Sequence, residues 1–344
     1  MSDAADAADA ADTQTFAPAA AQALQAFAIV PSELELVTVS ENVTFRVVAA
    51  VDGAAYVLRL HRPGYHSLTE LESERVWIRA LGEAGIAVPV PVRAPDGRDY
   101  VQVFIAAHGE HRYAGLARWT DGQLLDDVLH DREVVDAERV SAAVARYFEQ
   151  LGALIARMHN QASRWAVPTD FQRHALDADG LLGDAPFWGP FWDHPGFTVD
   201  ERRLVLATRD ALREVLARYG RSAANYSVIH ADLHPGNLLV DEDRLTIIDF
   251  DDAGFGWHQY DVAVALVKLH GKPQFENAQT ALLRGYRSTR ALPARDESMI
   301  PVFLLIRRLA TIGWVYQRPE HDGPHMQQAI RAACEMCRRF VAPI

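Results

Sequence analysis

One stretch of this chain leaves few folds open: His230-Ala231-Asp232-Leu233-His234-Pro235-Gly236-Asn237, followed within one hairpin by Ile247-Ile248-Asp249-Phe250-Asp251. Leu238 to Val240 and Leu245 to Ile248 read as short apolar strands, with Asp241-Glu242-Asp243-Arg244 as the turn joining them. Pro235 and Gly236 keep the segment before the first strand from becoming a helix. The hairpin is expected to return Asp249 to the side of Asn237, so Asp232, Asn237 and Asp249 fall at offsets that suit phosphoryl transfer. That chemistry needs a carboxylate to accept the acceptor's hydroxyl proton, an amide to hold one metal ion, and a second carboxylate to hold the metal bridging the phosphates. Zinc hydrolysis is the competing chemistry, because His230 and His234 flank Asp232 in an H-x-D-x-H pattern. It would need further His or Cys ligands nearby and would leave Asn237 and Asp249 unused. His230 reads as a structural histidine that fixes the loop, while His234 either faces an acceptor or packs.

The motif resembles the catalytic loop of the aminoglycoside phosphotransferase and choline kinase superfamily, H-x-D-x-x-x-x-N followed by a metal-binding Asp at the end of the next strand. Ala231 stands where eukaryotic protein kinases have Arg, and Asp251 where they have Gly, which points to the small-molecule branch. The resemblance implies an α+β, bilobal protein-kinase-like fold: a small antiparallel-sheet lobe plus a larger, mostly helical lobe. On this reading residues 1–28 form a disordered or partly helical tail, 29–118 the nucleotide-binding lobe, and 119–344 the catalytic and acceptor-binding lobe. It further implies ATP and Mg2+, with Asp232 as catalytic base and Asn237 and Asp249 as metal ligands. Within the superfamily the chain looks nearest to the group containing type II homoserine kinase and stress response kinase A, partly through Val57-Leu58-Arg59-Leu60-His61-Arg62-Pro63 and Arg307-Arg308.

The upstream half has candidates for every part such a nucleotide lobe needs. Leu34 to Val39 and Val43 to Ala49 read as strands around a Ser40-Glu41-Asn42 turn. This turn would lie over the triphosphate, with backbone amides and the Ser40 hydroxyl as phosphate contacts and Asn42 beside them. Arg59 interrupts the apolar run Tyr56 to His61, where a buried cation needs an anionic partner. Arginine in that place would orient phosphates through its fork of N–H groups; an edge-strand, solvent-facing Arg59 is the plainer alternative. A helix follows from Thr69, read as its capping residue, to Leu81, with Leu71, Trp77, Ile78 and Leu81 at helical spacing. Glu74 is the expected partner of Arg59, with Glu70 and Glu72 as competitors. Tyr100 to Ile105 and Ala114 to Trp119 would complete the sheet, and Arg118, Trp119 and Thr120 would be the hinge whose backbone meets adenine.

In the second half, Val140, Val144, Phe148, Leu151, Ile155 and Met158 mark a long amphipathic helix. Asp261, at the start of an apolar helix, reads as a cap and scaffold residue, and Asp251 as an aid to metal binding. The aromatic-rich stretch from Arg164 to Val199 either packs or binds the acceptor. Arg307 or Arg308, on an apolar helix, either meets an acceptor carboxylate or is solvated.

Composition bounds what is left. With 344 residues, 49% of them hydrophobic, the chain can bury two cores, and a net charge of −12 argues against a nucleic-acid surface. No apolar run is read as approaching the roughly 20 residues of a membrane span, and the acidic Ala-Ala-Asp start lacks the form of a secretory signal. Together with the resemblance, this leaves the expectation of a cytoplasmic monomer or homodimer acting on a small-molecule hydroxyl, with a protein acceptor of the stress-kinase kind and a nucleotide-binding pseudokinase as alternatives. Cys334 and Cys337 lack a second ligand pair for zinc and read as ordinary thiols.

Overall fold

The computed structural model describes residues 2–130 and 137–342. In chain order these form α1 (Ser2–Ala26), β1 (Pro31–Val39), β2 (Val43–Ala49), β3 (Ala55–Leu60), α2 (Leu68–Glu83), β4 (Pro91–Val92), β5 (Tyr100–Ile105), β6 (Glu110–Arg118), β7 (Gln123–Leu124), α3 (Leu125–Leu129), α4 (Ala137–Arg164), β8 (Ala175–Leu176), α5 (Ala178–Leu182), α6 (Val199–Tyr219), β9 (Tyr226–Ile229), β10 (Leu238–Asp241), β11 (Arg244–Ile247), β12 (Gly254–Trp257), α7 (His258–Val267), α8 (Phe275–Thr289), α9 (Ala294–Glu297), α10 (Ile300–Tyr316) and α11 (Pro324–Val341). They divide into two compact units. The first comprises Met1–Gln123, Val167–Gln172 and Leu239–Asp251, and the second Leu124–Ala166, Arg173–Leu238 and Asp252–Ile344.

The first unit is built on an antiparallel sheet in the order β1-β2-β3-β6-β4, with β5 also paired to β6. β2 alternates buried and half-buried residues along its whole length, which sends Val43, Phe45 and Val47 into the core and leaves the other face for polar work. Arg59 on β3 is paired with Thr44 of β2 and Gly115 of β6, so it stands on an inner strand, not on an edge. α2 begins two residues earlier than the Thr69 reading: its cap is Ser67, in a reciprocal capping box with Glu70. Glu70 is thereby committed to the helix end. The hairpin β10–β11 belongs here as well, although the sequence reading grouped it with residues 119–344. Two contacts draw it in: the Ile247 amide donates to the Ala87 carbonyl at 3.0 Å, and the Trp77 ring meets Phe250 edge-on at 5.6 Å.

The N-terminal segment, expected to be a disordered or partly helical tail, is helical and packed against the sheet. Its backbone is helical over Ser2–Ala26, and Phe16, Ala19, Ala20, Ala23, Leu24 and Phe27 are buried in one cluster with Phe45, Val47, Val101 and Val103 of the sheet. Met1 lies outside the described residues. The physical signal is an i, i+3, i+4, i+7, i+8, i+11 stripe, made inconspicuous by its alanines. Alanine has the highest helix propensity and lets a helix lie close to a sheet. Leu24→Ala is therefore expected to destabilise the protein by about 2–5 kcal/mol, the usual cost of a buried Leu truncation. Urea unfolding monitored by circular dichroism measures this directly; an unchanged midpoint would mean that the helix does not belong to the folded core.

The second unit is mostly helical. α4 and α8 cross at two glycines: a Cβ on Gly152 would lie 1.9 Å from the Leu282 carbonyl oxygen, and one on Gly285 1.8 Å from that of Glu149. Only glycine permits such close backbone approach. α7 is buried from His258 to Leu266, and a small sheet sets β12 antiparallel to β9 and parallel to β8. The stretch Ala294–Tyr316 corrects the hydropathy reading. By length and composition it is apolar enough to cross a membrane, and 61% of its most apolar window is buried inside the protein. Phe303, Ile306, Leu309 and Ile312 of α10 are fully buried, as in a core helix. Cys334 and Cys337 on α11 are buried free thiols, each pushed up to about 11 chiefly by that burial, consistent with inert side chains.

Candidate active site

In the second unit β9 ends at Ile229 and the chain enters a tight loop that turns every polar group to use. Ala231 takes the left-handed conformation, φ 67°, which an L-residue with a Cβ adopts only when its surroundings enforce it. Asp261 does the enforcing. Its Oδ1 accepts the Ala231 amide at 2.7 Å and its Oδ2 the His230 amide at 3.2 Å. The expectation of Asp261 as a helix cap is thus corrected: α7 starts at His258 with no side-chain cap, and the carboxylate, three residues in, holds the loop instead. The fully buried His230 ring accepts the Asp232 amide through Nδ1 at 3.3 Å, so it braces the loop from within. His234 accepts the Gly236 amide at 3.0 Å and closes the short 3-10 turn Pro235–Asn237.

Asp232 is the focus of this loop. The Asn237 amide donates to both its main-chain oxygen, at 2.8 Å, and its Oδ2, at 2.9 Å. His234 Nε2 stands 3.5 Å from Oδ2. Arg307 of α10 donates from Nη2 to Oδ1 while its guanidinium lies over the Trp188 ring, 5.3 Å from the centroid. Burial alone would raise the Asp232 pKa, but Arg307, His234 and His230 outweigh it and hold the carboxyl below the ordinary carboxylate range. The same pairing carries Arg307 above the usual guanidinium value against the desolvation that would lower it. Arg307, weighed in the sequence as an acceptor contact or a solvated residue, is therefore seated on the candidate base. The aromatic stretch mainly packs: Phe187 stacks on His174 at 3.7 Å, Trp188 on Tyr260 at 5.9 Å, and Phe191 is buried. Trp188 alone of these also carries the Arg307 guanidinium.

Behind the loop lies a buried titrating cluster. Asp261 Oδ2 is 3.1 Å from His159 Nε2, whose Nδ1 is 3.0 Å from the Tyr286 hydroxyl, and His159 stacks on His258 at 4.3 Å. Burial drives both histidines well below 6.5 and raises the Asp261 carboxyl to about 6, against the pull of His230 and the loop amides. A folded pKa above the unfolded value of about 3.9 means that this group's contribution to stability is fully present below about pH 4. It is lost as pH rises through about 6, a change of about 3 kcal/mol. The loop needs the opposite state, because an ionised carboxylate accepts both amides most strongly. As pH falls through about 6, kcat is expected to fall without a parallel loss of melting temperature from this group. In Asp261→Asn that limb is expected to vanish and the plateau to drop about tenfold. pH–rate profiles beside melting curves test this; a limb persisting in the variant assigns it to another residue.

The first unit assembles the other candidates. Arg59 Nη1 donates to Asp249 Oδ1 at 2.8 Å, and Asp249 itself is left-handed at φ 62°. Burial would lower the Arg59 pKa, but Asp249 and Asp251, with Glu74 adding to their field, raise it above the ordinary value. Glu74 is buried on α2, so the expected Arg59–Glu74 relation is present as field while Asp249 takes the hydrogen bond. Asp251 is buried and anchors the turns: Asn42 Nδ2 donates to its Oδ2 at 3.2 Å, and His61 Nδ1 stands 3.5 Å from Oδ1. His66 Nε2 lies 2.7 Å from the Asp251 carbonyl oxygen. Burial raises the Asp251 pKa, but His61, Arg59 and His66 drive it below the ordinary carboxylate range.

Several expected ligand groups turn out to be occupied. Asn42 also accepts the Arg62 amide at 2.9 Å, so both ends of its side chain serve the fold. The exposed Ser40 closes the turn by donating its amide to the Asn42 carbonyl at 3.1 Å. At the expected hinge, the Arg118 amide donates to Val90 at 2.8 Å and the Trp119 amide to Ala55 at 3.0 Å. The Arg118 side chain bonds the Tyr56 hydroxyl at 2.9 Å, and Trp119 Nε1 bonds Asp121 at 3.1 Å. A base meeting Arg118, Trp119 or Thr120 would have to use their other backbone groups. Sequence reasoning gave no role to His61 and His66 around Asp251; the His61 that closes the Arg59 strand was the available signal.

The sequence profile of the phosphotransferase enzyme family matches residues 35–297. A solved microcompartment-associated aminopropanol kinase is 33% identical, with a TM-score of 0.77 over 93% of this chain and 95% of its own. The solved amicoumacin kinase in complex with AMP-PNP, Ca2+ and Ami is 21% identical, with a TM-score of 0.73 over 91% and 90%. The homoserine kinase of Acidiphilium cryptum is 29% identical over 286 residues, 78% of this chain and 79% of that protein.

Proposed function

This chain belongs to the phosphotransferase enzyme family and is an ATP-dependent phosphotransferase acting on an alcohol group; we propose that its acceptor is a small amino-acid, amino-alcohol or amino-sugar type molecule. The observation that carries this reading is Asp232, kept ionised and cross-braced by Asn237 and Arg307 at the mouth of a strand. Two relatives support it, one named for aminopropanol and one for homoserine, each a small alcohol that also carries nitrogen.

Asp232 orients the acceptor hydroxyl and takes its proton as the new phosphorus–oxygen bond forms, and the γ-phosphoryl leaves ADP. A carboxylate with a depressed pKa is a weak base in water, but this reaction asks chiefly for positioning, with proton transfer late along the path. Arg59 orients ATP phosphates through its guanidinium fork. Magnesium suits the donor set: Asn237 has its amide nitrogen on Asp232, so its carbonyl oxygen is the end it can offer, and Asp249 adds a carboxylate. When bound, the ion would neutralise charge building on the phosphate oxygens. A cytosolic site of action, where ATP is plentiful, is part of this proposal.

Incubation with magnesium, γ-labelled ATP and a panel of hydroxylated amino acids, amino alcohols, amino sugars and a generic protein tests the reading. Label on one small molecule is the expected result. Label on protein alone would replace it with the protein-kinase alternative.

A further inference from the structure

Two side chains that the sequence places at the nucleotide are joined to each other by the first unit: Asn42, in the turn between β1 and β2, and Asp251, two residues past the candidate metal ligand. Asn42 Nδ2 donates to Asp251 Oδ2 at 3.2 Å, an amide meeting a carboxylate that is only 8% exposed. Each end is fixed from behind. On the turn side the Arg62 amide donates to Asn42 Oδ1 at 2.9 Å and the Ser40 amide to the Asn42 carbonyl at 3.1 Å. The Arg62 guanidinium pairs with Glu41 while lying on the Tyr65 ring, 3.4 Å from its centroid. On the other side His61 Nδ1 stands 3.5 Å from Asp251 Oδ1, His66 Nε2 lies 2.7 Å from the Asp251 carbonyl oxygen, and the buried Phe250 meets Trp77. Of Asp249, Phe250 and Asp251, the Asp249 carboxylate alone is substantially exposed, at 36%, with Arg59 on its Oδ1.

We propose that the Asn42–Asp251 hydrogen bond is a latch that makes the Ser40–Asn42 turn and the metal-binding segment move as one, so that Asn42 and Asp251 are positioning residues for nucleotide and magnesium and ligands of neither. This rests on the reading in which the turn meets the ATP phosphates and Asp249 holds magnesium. Ser40-Glu41-Asn42 contains no glycine and lies at the edge of the sheet, where the bonds of Glu41 and Asn42 hold its backbone amides in direction. Asp249 is left-handed at φ 62°, a conformation that its surroundings have to enforce. One bond between residues 209 positions apart meets both needs. Its consequence is reciprocal: a change in the turn reaches the metal, and a change at Asp251 reaches the phosphates.

Binding of ATP to the full chain, followed by titration calorimetry with and without magnesium, tests the latch without relying on turnover. Asn42→Ala changes no charge and is expected to raise the half-saturating magnesium concentration about tenfold. Asp251→Asn removes a negative charge, which by itself would tighten magnesium-free ATP; the latch predicts the opposite sign, a weakening of about three- to tenfold. In the double variant Asn42→Asp, Asp251→Asn the amide and the carboxylate trade places and the Arg62 amide keeps an acceptor. Both constants are then expected to return to within about threefold of wild type, while Asn42→Asp alone, with two carboxylates facing each other, is the most impaired. Unchanged magnesium dependence in Asn42→Ala overturns the proposal, as does tighter magnesium-free ATP in Asp251→Asn. A defect in Asn42→Asp that Asp251→Asn leaves uncorrected also overturns it and makes Asn42 a direct phosphate ligand. These outcomes leave the phosphotransferase reading in place. Wild-type protein whose ATP affinity ignores magnesium would defeat the underlying metal reading, and the latch with it. Melting curves identify variants that do not fold; should Asn42→Ala be one, Asn42→Asp with and without Asp251→Asn decides.

Discussion

Replacing Asp232 with Asn is expected to lower kcat by about 10²–10⁴-fold, the range attributed to a positioned general base, while ATP binding changes little. Asn preserves the shape of the side chain and can still accept from Asn237, so the loop geometry set by Asp261 and Ala231 should survive. Arg307 loses its anionic partner. Because that pair is partly buried, with 15% and 21% of the two side chains exposed, a stability cost of about 1–3 kcal/mol is expected, between the exposed and fully buried limits. Single-turnover phosphoryl transfer measured alongside nucleotide affinity separates the two effects. A kcat within about fivefold of wild type would remove Asp232 from the reaction.

What the sequence made legible was local. The hairpin β1–β2, the strand around Arg59 and the strands flanking the turn at Glu242 are each written in apolar alternation and turn residues within a dozen positions. What it hid was the choice of partner across long separations. Asp261 has the local look of a helix cap and instead serves Ala231, thirty residues upstream. Arg307 has the local look of a surface cation on an apolar helix and instead meets Asp232, 75 residues away. The amides of Arg118 and Trp119 lie at the right place in the chain for a hinge, but sheet pairing with Val90 and Ala55 uses them first. In each case the energy of a polar group depends on what burial brings opposite it, and no pattern within one element encodes that. The helix α1 was hidden differently: half of its buried stripe is alanine, so the acidic repeat before it dominated the reading.

Asp249→Asn is expected to reduce turnover on the order of 10³-fold while leaving the fold nearly untouched. The side chain is 36% exposed and its pair with Arg59 is partly solvated, so loss of the charge should cost about 1 kcal/mol or less in stability. Asn is also the replacement that tolerates φ 62°, whereas Ala there would add backbone strain to the chemical change. The activity loss follows from the proposed role, since a metal ligand whose charge acts on the phosphates contributes through transition-state charge rather than packing. Two causes predict loss and must be separated, because Arg59 is released when Asp249 becomes neutral. If Asp249 holds magnesium, raising the magnesium concentration should restore part of the variant's activity, and the half-saturating magnesium level should rise at least tenfold. If it only anchors Arg59, the magnesium dependence should match wild type and Arg59→Met should reproduce the defect alone. The Arg59→Met, Asp249→Asn double-mutant cycle then measures the coupling between the two side chains, and a magnesium titration that does not move in Asp249→Asn would take the metal role away from this residue.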